Sequence, residues 1–182
     1  MAKILIIYPN KQGHGITAIW IASHTAMLRA RGHDVELFDC TFFKNWTVDE
    51  TAFNTSNQMY KPSDYSHYVS FTDDDIFQSL QERIDNYNPD ILFWSALSSH
   101  IHGEGEYVSI EYGCELVKNT KSTALKVSGG LQPTAAPLEM NSKFPAVDYF
   151  ISGESEFVLV ELADKIHSKE NLTGINGLIL NG

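Results

Sequence analysis

Ile4-Leu5-Ile6-Ile7-Tyr8, closed by Pro9-Asn10, decides the fold. A strand with one face in water alternates apolar with polar residues. This run does not alternate, and it is short and rich in β-branched side chains. It therefore reads as a strand covered on both faces, as in a parallel sheet. Val35-Glu36-Leu37-Phe38, Ile91-Leu92-Phe93-Trp94, Leu125-Lys126-Val127-Ser128 and Val147-Asp148-Tyr149-Phe150-Ile151 read as further strands, and Gly177-Leu178-Ile179-Leu180 as a short last one. Helical segments separate them. Ile16, Ile19, Trp20, Ser23, Met27 and Leu28 share one stripe, which closes near Gly32 with Arg29 and Arg31 suited to a helix C-terminus. Thr72-Asp73-Asp74-Asp75 reads as a capped helix start rather than a metal site, with Ile76, Leu80 and Ile84 as the apolar stripe behind it. Helices are also expected over 106–119, just after Pro133-Thr134, and over 157–166.

Strands that alternate with helices build a parallel sheet with helices on both faces, and right-handed crossovers leave few topologies. The expected architecture is a doubly wound α/β domain, flavodoxin-like or Rossmann-like, with a five-stranded parallel sheet in the order 2-1-3-4-5. Ligands of such sheets bind outside the carboxyl ends of the strands. The loops after Tyr8, Trp94, Val127 and Ile151 should share that face.

At 182 residues the chain reads as one domain, 1–182, long enough to bury a core without staples. Its net charge is −10 and its 13 Lys and Arg are scattered. A nucleic acid needs clustered positive charge to release counterions, so that partner is not expected. Cys40 and Cys114 are far apart and read as unpaired buried thiols in a reducing compartment. The opening apolar run is too short for a signal peptide or a membrane span, so the expected location is cytoplasmic, away from membranes. Residues 40–70 are the least regular part, with Phe42, Phe43, Trp46, Phe53, Tyr60, Tyr65 and Tyr68 and no period. They read equally as a functional lid and as a surface excursion pinned by its aromatics.

The strand-end loops are small, polar and glycine-rich. Gly129-Gly130 lets a ligand approach the backbone, and Ser95, Ser98 and Ser99 offer hydroxyls. The face suits a large flat or extended polar ligand. It lacks a G-x-S-x-G elbow, a Walker loop and a G-x-G-x-x-G turn. His14, His100 and His102 read as loop residues before metal ligands, and His24 as packed within its helix. Glu154 and Glu156 stand at a helix start, where carboxylates meet free amides in any case.

Five segments then line up in order. They are Lys3-Ile4-Leu5-Ile6-Ile7-Tyr8-Pro9; Leu28-Arg29-Ala30-Arg31-Gly32-His33-Asp34-Val35-Glu36-Leu37; Pro89-Asp90-Ile91-Leu92-Phe93-Trp94-Ser95-Ala96-Leu97; Val127-Ser128-Gly129-Gly130-Leu131-Gln132-Pro133-Thr134; and Val147-Asp148-Tyr149-Phe150-Ile151-Ser152-Gly153-Glu154-Ser155-Glu156. Together they resemble the N-terminal cobalamin-binding domain of B12-dependent radical SAM enzymes, over nearly the whole chain. Ile175-Asn176-Gly177-Leu178-Ile179 is similar to the strand that leads such proteins into their radical SAM barrel.

The resemblance implies a corrinoid site. Ser95-x-Leu97 matches the family's S-x-L, whose serine faces the dimethylbenzimidazole tail. Gly129 and Gly130 match the paired glycines beside that tail, and Thr134 stands where a hydroxyl meets it. Ser152, Gly153 and Glu154 border the pocket. Asn10, Gly13, His14, Ser99, Gln132 and Tyr149 complete the expected cofactor-binding set. Trp20, Trp94 or the aromatics of 40–70 are candidates to cover the corrin.

Two departures refine this. The usual cobalamin domain carries D-x-H-x-x-G after its first strand, and that histidine binds cobalt. Here the loop reads Asn10-Lys11-Gln12-Gly13-His14-Gly15-Ile16-Thr17, with neither the aspartate nor the spacing. His14 is thus a weak cobalt candidate, and the implied cofactor is base-off cobalamin without a histidine ligand. A radical SAM [4Fe–4S] cluster needs C-x-x-x-C-x-x-C, which two distant cysteines cannot supply. The cluster, SAM and a C-terminal radical SAM domain, in cis or in trans, are therefore expected outside this chain, with 172–182 leading towards them. No catalysis is expected from the chain alone, and methyl transfer is one reaction open to the parent enzyme. The alternatives are a flavodoxin-like flavin or nucleotide binder and a non-catalytic interaction domain. The first wants a hydroxyl-rich phosphate loop where Pro9-Asn10-Lys11-Gln12 stands. A response-regulator-like interaction domain wants acidic residues that Tyr8-Pro9 and Trp94-Ser95 lack.

Overall fold

The opening apolar run is β1, Lys3–Tyr8, an interior strand of a six-stranded sheet. The computed structural model describes residues 1–11, 18–47, 67–96 and 110–181. β1 pairs in parallel with β2, Asp34–Asp39, and with β3, Ile91–Ala96. β4, Leu125–Gly130, pairs with β3 and with β5, Tyr149–Ile151, also in parallel. The order is β2-β1-β3-β4-β5-β6. Through β5 this is the expected 2-1-3-4-5 arrangement.

The sixth strand corrects the five-stranded expectation. β6, Leu178–Leu180, lies antiparallel on β5, with Leu178 opposite Ile151. After the last helix, residues 169–177 carry the chain back to the carboxyl end of the sheet, a span well within the reach of an extended segment. Gly174 and Gly177 both adopt positive φ, 83° and 85°, and Ser152 N donates to Gly177 O at 2.9 Å. A strand that starts at that end must run downwards.

α1, Ile19–Ala30, and α6, Ser155–Ser168, cover one face of the sheet. α2, Ile76–Tyr87, α3, Ile110–Val117, and α5, Pro137–Lys143, cover the other. Short α4, Leu131–Ala135, leads from β4 towards α5. The strand residues divide between two cores. Ile4, Ile6, Ile91 and Phe93 face α1 and α6, while Leu5, Ile7, Leu92 and Trp94 face α2 and α3. That is why the runs do not alternate. Each such side chain gains about 1.5–3 kcal/mol from burial.

The local signals behave as their chemistry requires. Trp20, His24 and Leu28 are the buried stripe of α1, and Gly32, φ 82°, turns the chain out of it. Ile16 lies outside the described residues. Asp75 caps α2, its carboxylate accepting from Gln78 N at 2.9 Å. Asp73 meets Lys44 and Asp74 meets the Thr72 hydroxyl. A short helix, α5, does follow Pro133-Thr134, and an additional one, α4, starts earlier at Leu131, with Pro133 inside a first turn that needs no N–H from it. The described ends of the irregular excursion are pinned by aromatics. Phe43 bridges to Thr72, Phe42 meets Phe71 at 5.9 Å, and Trp46 is buried. Phe53, Tyr60 and Tyr65 lie outside the described residues. Both cysteines are free and buried, and burial raises the pKa of each thiol, that of Cys114 to about 12. Among the described residues no helix is long and apolar enough to cross a membrane.

Candidate functional site

The carboxyl ends of β1, β3, β4 and β5 lie along one edge of the sheet, so the loops that follow them start together. The best defined part joins β4 to β5. Gly130 has φ 107°, and Gly153 has φ 91°, conformations that side chains with a Cβ rarely adopt. Thr134 links the two loops. Its hydroxyl donates to Gly130 O at 2.8 Å and accepts from Gly153 N at 2.9 Å. Three residues expected at the site from sequence are thus tied in one clasp. Ser152 flanks it, half-buried, and Glu154 is exposed at the start of α6, its side chain making no cap bond.

Gly129 has a second explanation besides ligand approach. A Cβ there would meet Ser155 Cβ at 3.0 Å and Phe93 Cε2 at 3.5 Å. The glycine lets the start of α6 close against β4. Ser95 pairs with Gly129 in register and is buried on the same face of the sheet. Asn10 is fully buried just past β1, and its Nδ2 donates to Thr41 Oγ1 at 3.2 Å. Thr41 in turn bonds Asp39, so Asn10 braces the ends of β1 and β2. Gln132 is half-buried in α4. Tyr149 stands apart from the clasp, at the start of β5 opposite Val127. Gly13, His14, Leu97, Ser98, Ser99, His100 and His102 lie outside the described residues.

Trp20 and Trp94 do not stand over this edge as candidate covers. Trp94 is fully buried, its indole pressed on the backbone of Gly113, and Trp20 packs against Tyr8, His24 and Phe93. Large apolar side chains that do reach solvent at this end are Ile19, Leu131 and Phe157, each in the first turn of a helix that follows a strand. In a parallel α/β sheet those first turns all begin at the carboxyl ends of the strands.

Two groups were not foreseen from sequence as working parts. His24, expected only to be packed, is bonded at both nitrogens. Nδ1 lies 2.6 Å from Trp20 O, so it carries the proton, and Nε2 accepts from Ser155 Oγ at 2.9 Å. Burial lowers its pKa from 6.5, against the opposing pull of the Trp20 carbonyl and Glu156. The imidazole is therefore neutral, and its 3.9 Å approach to Glu156 is not an ion pair at neutral pH. Glu156 instead accepts from Ser23 Oγ at 2.9 Å. The sequence held one clue: a titratable residue at the centre of a buried stripe needs a partner. The second group is Lys11, which reaches Trp46, Tyr112 and Glu115.

The residues present fit a large polar cofactor at this edge. The Gly130 and Gly153 turns bare their backbone, Thr134 locks them, and exposed apolar side chains stand around them. Ser128 Oγ, two residues before the turn at Gly130, is buried without a partner. Among the described residues no group of three or more His, Cys, Asp or Glu is arranged to hold a metal ion.

No family model and no curated protein matches the chain. Solved structures do. The chain is similar over 100% of its length to TsrM, a radical S-adenosylmethionine methyltransferase from Kitasatospora setae, at 21% identity and a TM-score of 0.70. It covers 29% of TsrM solved with tryptophan substrate and the SAM analogue aza-SAM, and 27% of TsrM solved with cobalamin and a [4Fe–4S] cluster. It is also similar to OxsB, a cobalamin-dependent S-adenosylmethionine radical enzyme solved with aqua-cobalamin and S-adenosylmethionine. That match covers 98% of this chain and 20% of OxsB, at 14% identity and a TM-score of 0.54. At these identities the likeness is one of fold. The chain spans less than a third of the length of either enzyme.

Proposed function

We propose that this chain is the cobalamin-binding module of a B12-dependent radical SAM enzyme, with the corrinoid held at the carboxyl ends of the strands. The observation that carries the reading is the match of the whole chain, at a TM-score of 0.70, to an enzyme solved with cobalamin. The glycine–threonine clasp at the expected edge supports it. In this reading Gly130 and Gly153 take the approach of the cofactor's polar parts, Thr134 keeps their two loops together, and Ile19, Leu131 and Phe157 shield the corrin's apolar edge. Bound cobalamin would supply cobalt chemistry at this edge, carriage of a methyl group among the possibilities. The chain's own task is to bind it, orient it and exclude water. The cofactor is read as base-off without a histidine on cobalt, since the loop after β1 lacks the D-x-H-x-x-G motif. A radical SAM domain, in cis beyond β6 or in trans, would supply the [4Fe–4S] cluster, SAM and the reaction, a methyl transfer among those open to it. The compartment is read as the cytoplasm.

The test is optical. The chain is mixed with hydroxocobalamin, desalted and scanned in the visible. Retained cobalamin with a base-off band, unchanged in His14→Ala and reduced in Thr134→Val, is the expected result. A colourless protein after desalting, or one purified with a bound flavin, overturns the reading.

A further inference from the structure

A second constellation lies at the same end of the sheet, outside the clasp. Lys11, just past β1, extends its side chain over residues from two other segments. Its Nζ sits 3.9 Å from the centre of the Trp46 ring and 4.6 Å from that of Tyr112, and donates to Glu115 Oε2 at 2.9 Å. The two rings meet edge to face, 6.3 Å apart. Two aromatic faces and a carboxylate around one ammonium make the arrangement that recognises alkylammonium groups.

The tryptophan is the telling member. Trp46 is 4% exposed, and its Nε1 is buried with no acceptor. The indole N–H groups of Trp20 and Trp94 are unmet as well, so the cation over its ring is what sets Trp46 apart. What Trp46 does offer is its ring face, and a cation lies on it. The carboxylate beside it is accessible: the Glu115 side chain is 41% exposed, and that of Lys11 17%. The box opens to solvent on its acidic side.

We infer that Trp46, Tyr112 and Glu115 form a binding site for the ammonium group of an amine ligand, and that Lys11 is the in-chain occupant which such a ligand displaces. Occupation by a tethered lysine sets a threshold. A side chain on a short tether competes at millimolar effective concentration, so only ligands with further contacts win the box from it. The class of ligand is a primary alkylamine carried on a larger molecule. The site stands at the end of the sheet proposed to hold the corrinoid, but its argument does not use that reading.

The test uses butylammonium chloride, with sodium chloride at equal ionic strength as the control, on the full chain without cobalamin. Binding is read from the indole N–H resonance of Trp46. Lys11→Met should bind butylammonium at least ~tenfold tighter than the wild type, because the competitor is gone. Glu115→Gln in that background should lose about tenfold, as a charged partner is removed. In the wild type, saturating butylammonium should raise the acetylation rate of Lys11 several-fold, read by mass spectrometry. Far-ultraviolet circular dichroism reports whether each variant is folded. A folded Lys11→Met chain that binds no butylammonium overturns the site. So does a wild type whose Lys11 acetylation does not move, which would make Lys11 a fixed clasp. Either failure leaves the cobalamin test untouched.

Discussion

On the α1–α6 face of the sheet, the buried polar side chains of His24 and Ser155 bond each other, whereas on the opposite face Trp46 Nε1, Trp94 Nε1 and Ser128 Oγ are buried with no partner. Trp20 Nε1 is an exception on the first face. The two faces are built from the same strands, so the difference lies in what each layer asks of its polar residues. On the α1–α6 face the His24–Ser155 bond joins two helices at the point where α6 touches Gly129. Hydrogen bonding there sets the shape of the candidate site. On the other face the tryptophans are held by their rings, one on a glycine and one under a lysine. An unmet buried donor costs about 1–3 kcal/mol, and ring packing has to exceed that.

The largest effect should come from breaking the ring packing. A Cβ at Gly113 would stand 2.3 Å from Trp94 Cδ1 and Nε1. Trp94 is fully buried and cannot swing away. Alanine is the better helix former by about 1 kcal/mol, but overpacking of this kind outweighs it. Gly113→Ala should lower stability by about 3 kcal/mol in urea unfolding. A change below about 1 kcal/mol would mean that the Trp94 indole can shift, and that this face is looser than its packing suggests.

The hydrogen-bonded face should respond less to mutation but also to pH. Ser155→Ala leaves His24 Nε2 a buried acceptor without a donor and should cost about 1–2 kcal/mol at neutral pH. The pH dependence follows from the lowered pKa of His24, caused first by burial. The unfolded chain binds a proton near pH 6.5 and the folded one only below that. The unfolded state therefore carries more protons in between, and stability present above pH 6.5 falls as the pH drops through that window. His24→Phe should flatten this part of the profile. Asp164 acts in a lower window. Burial raises its pKa, but the bonds from Arg31 and His33 more than offset this and hold it below 3.8, so its contribution is lost at more acid pH. A wild-type profile flat from pH 7 to 5 would show that burial does not lower the pKa of His24 in the folded state.

The two faces also differ in how far they could be read in advance. The strand runs disclosed both cores, because a residue's side of the sheet follows from its parity along the strand. The turns at Gly130 and Gly153 and a bonding hydroxyl at Thr134 were legible, since glycine and hydroxyl chemistry is local. Gly129 was legible as a close approach, but not the party approaching: Ser155 lies 26 residues on and meets it only through the fold. His24 was legible as packed, while its partner on another helix was not. The Lys11 box joins the loop after β1, the aromatic excursion and α3, and no spacing in the chain links them. β6 was visible as a strand, yet its direction depended on a return path that periodicity does not encode.

The smallest expected effect is the sharpest on the comparison. Ser128 is fully buried, and its hydroxyl is unmet. It pairs with Trp94 in register and precedes Gly129 and Gly130. If that hydroxyl serves only the fold, it serves it badly, and Ser128→Ala should leave stability unchanged or raise it by up to about 1 kcal/mol, the reverse of Ser155→Ala. A loss of stability instead would mean that the hydroxyl has a partner, and that the two faces are alike. The same variant separates fold from site. Unchanged stability with weaker retention of hydroxocobalamin would place the unmet hydroxyl on the cofactor. Unchanged stability with unchanged retention would leave it a tolerated defect beneath the clasp.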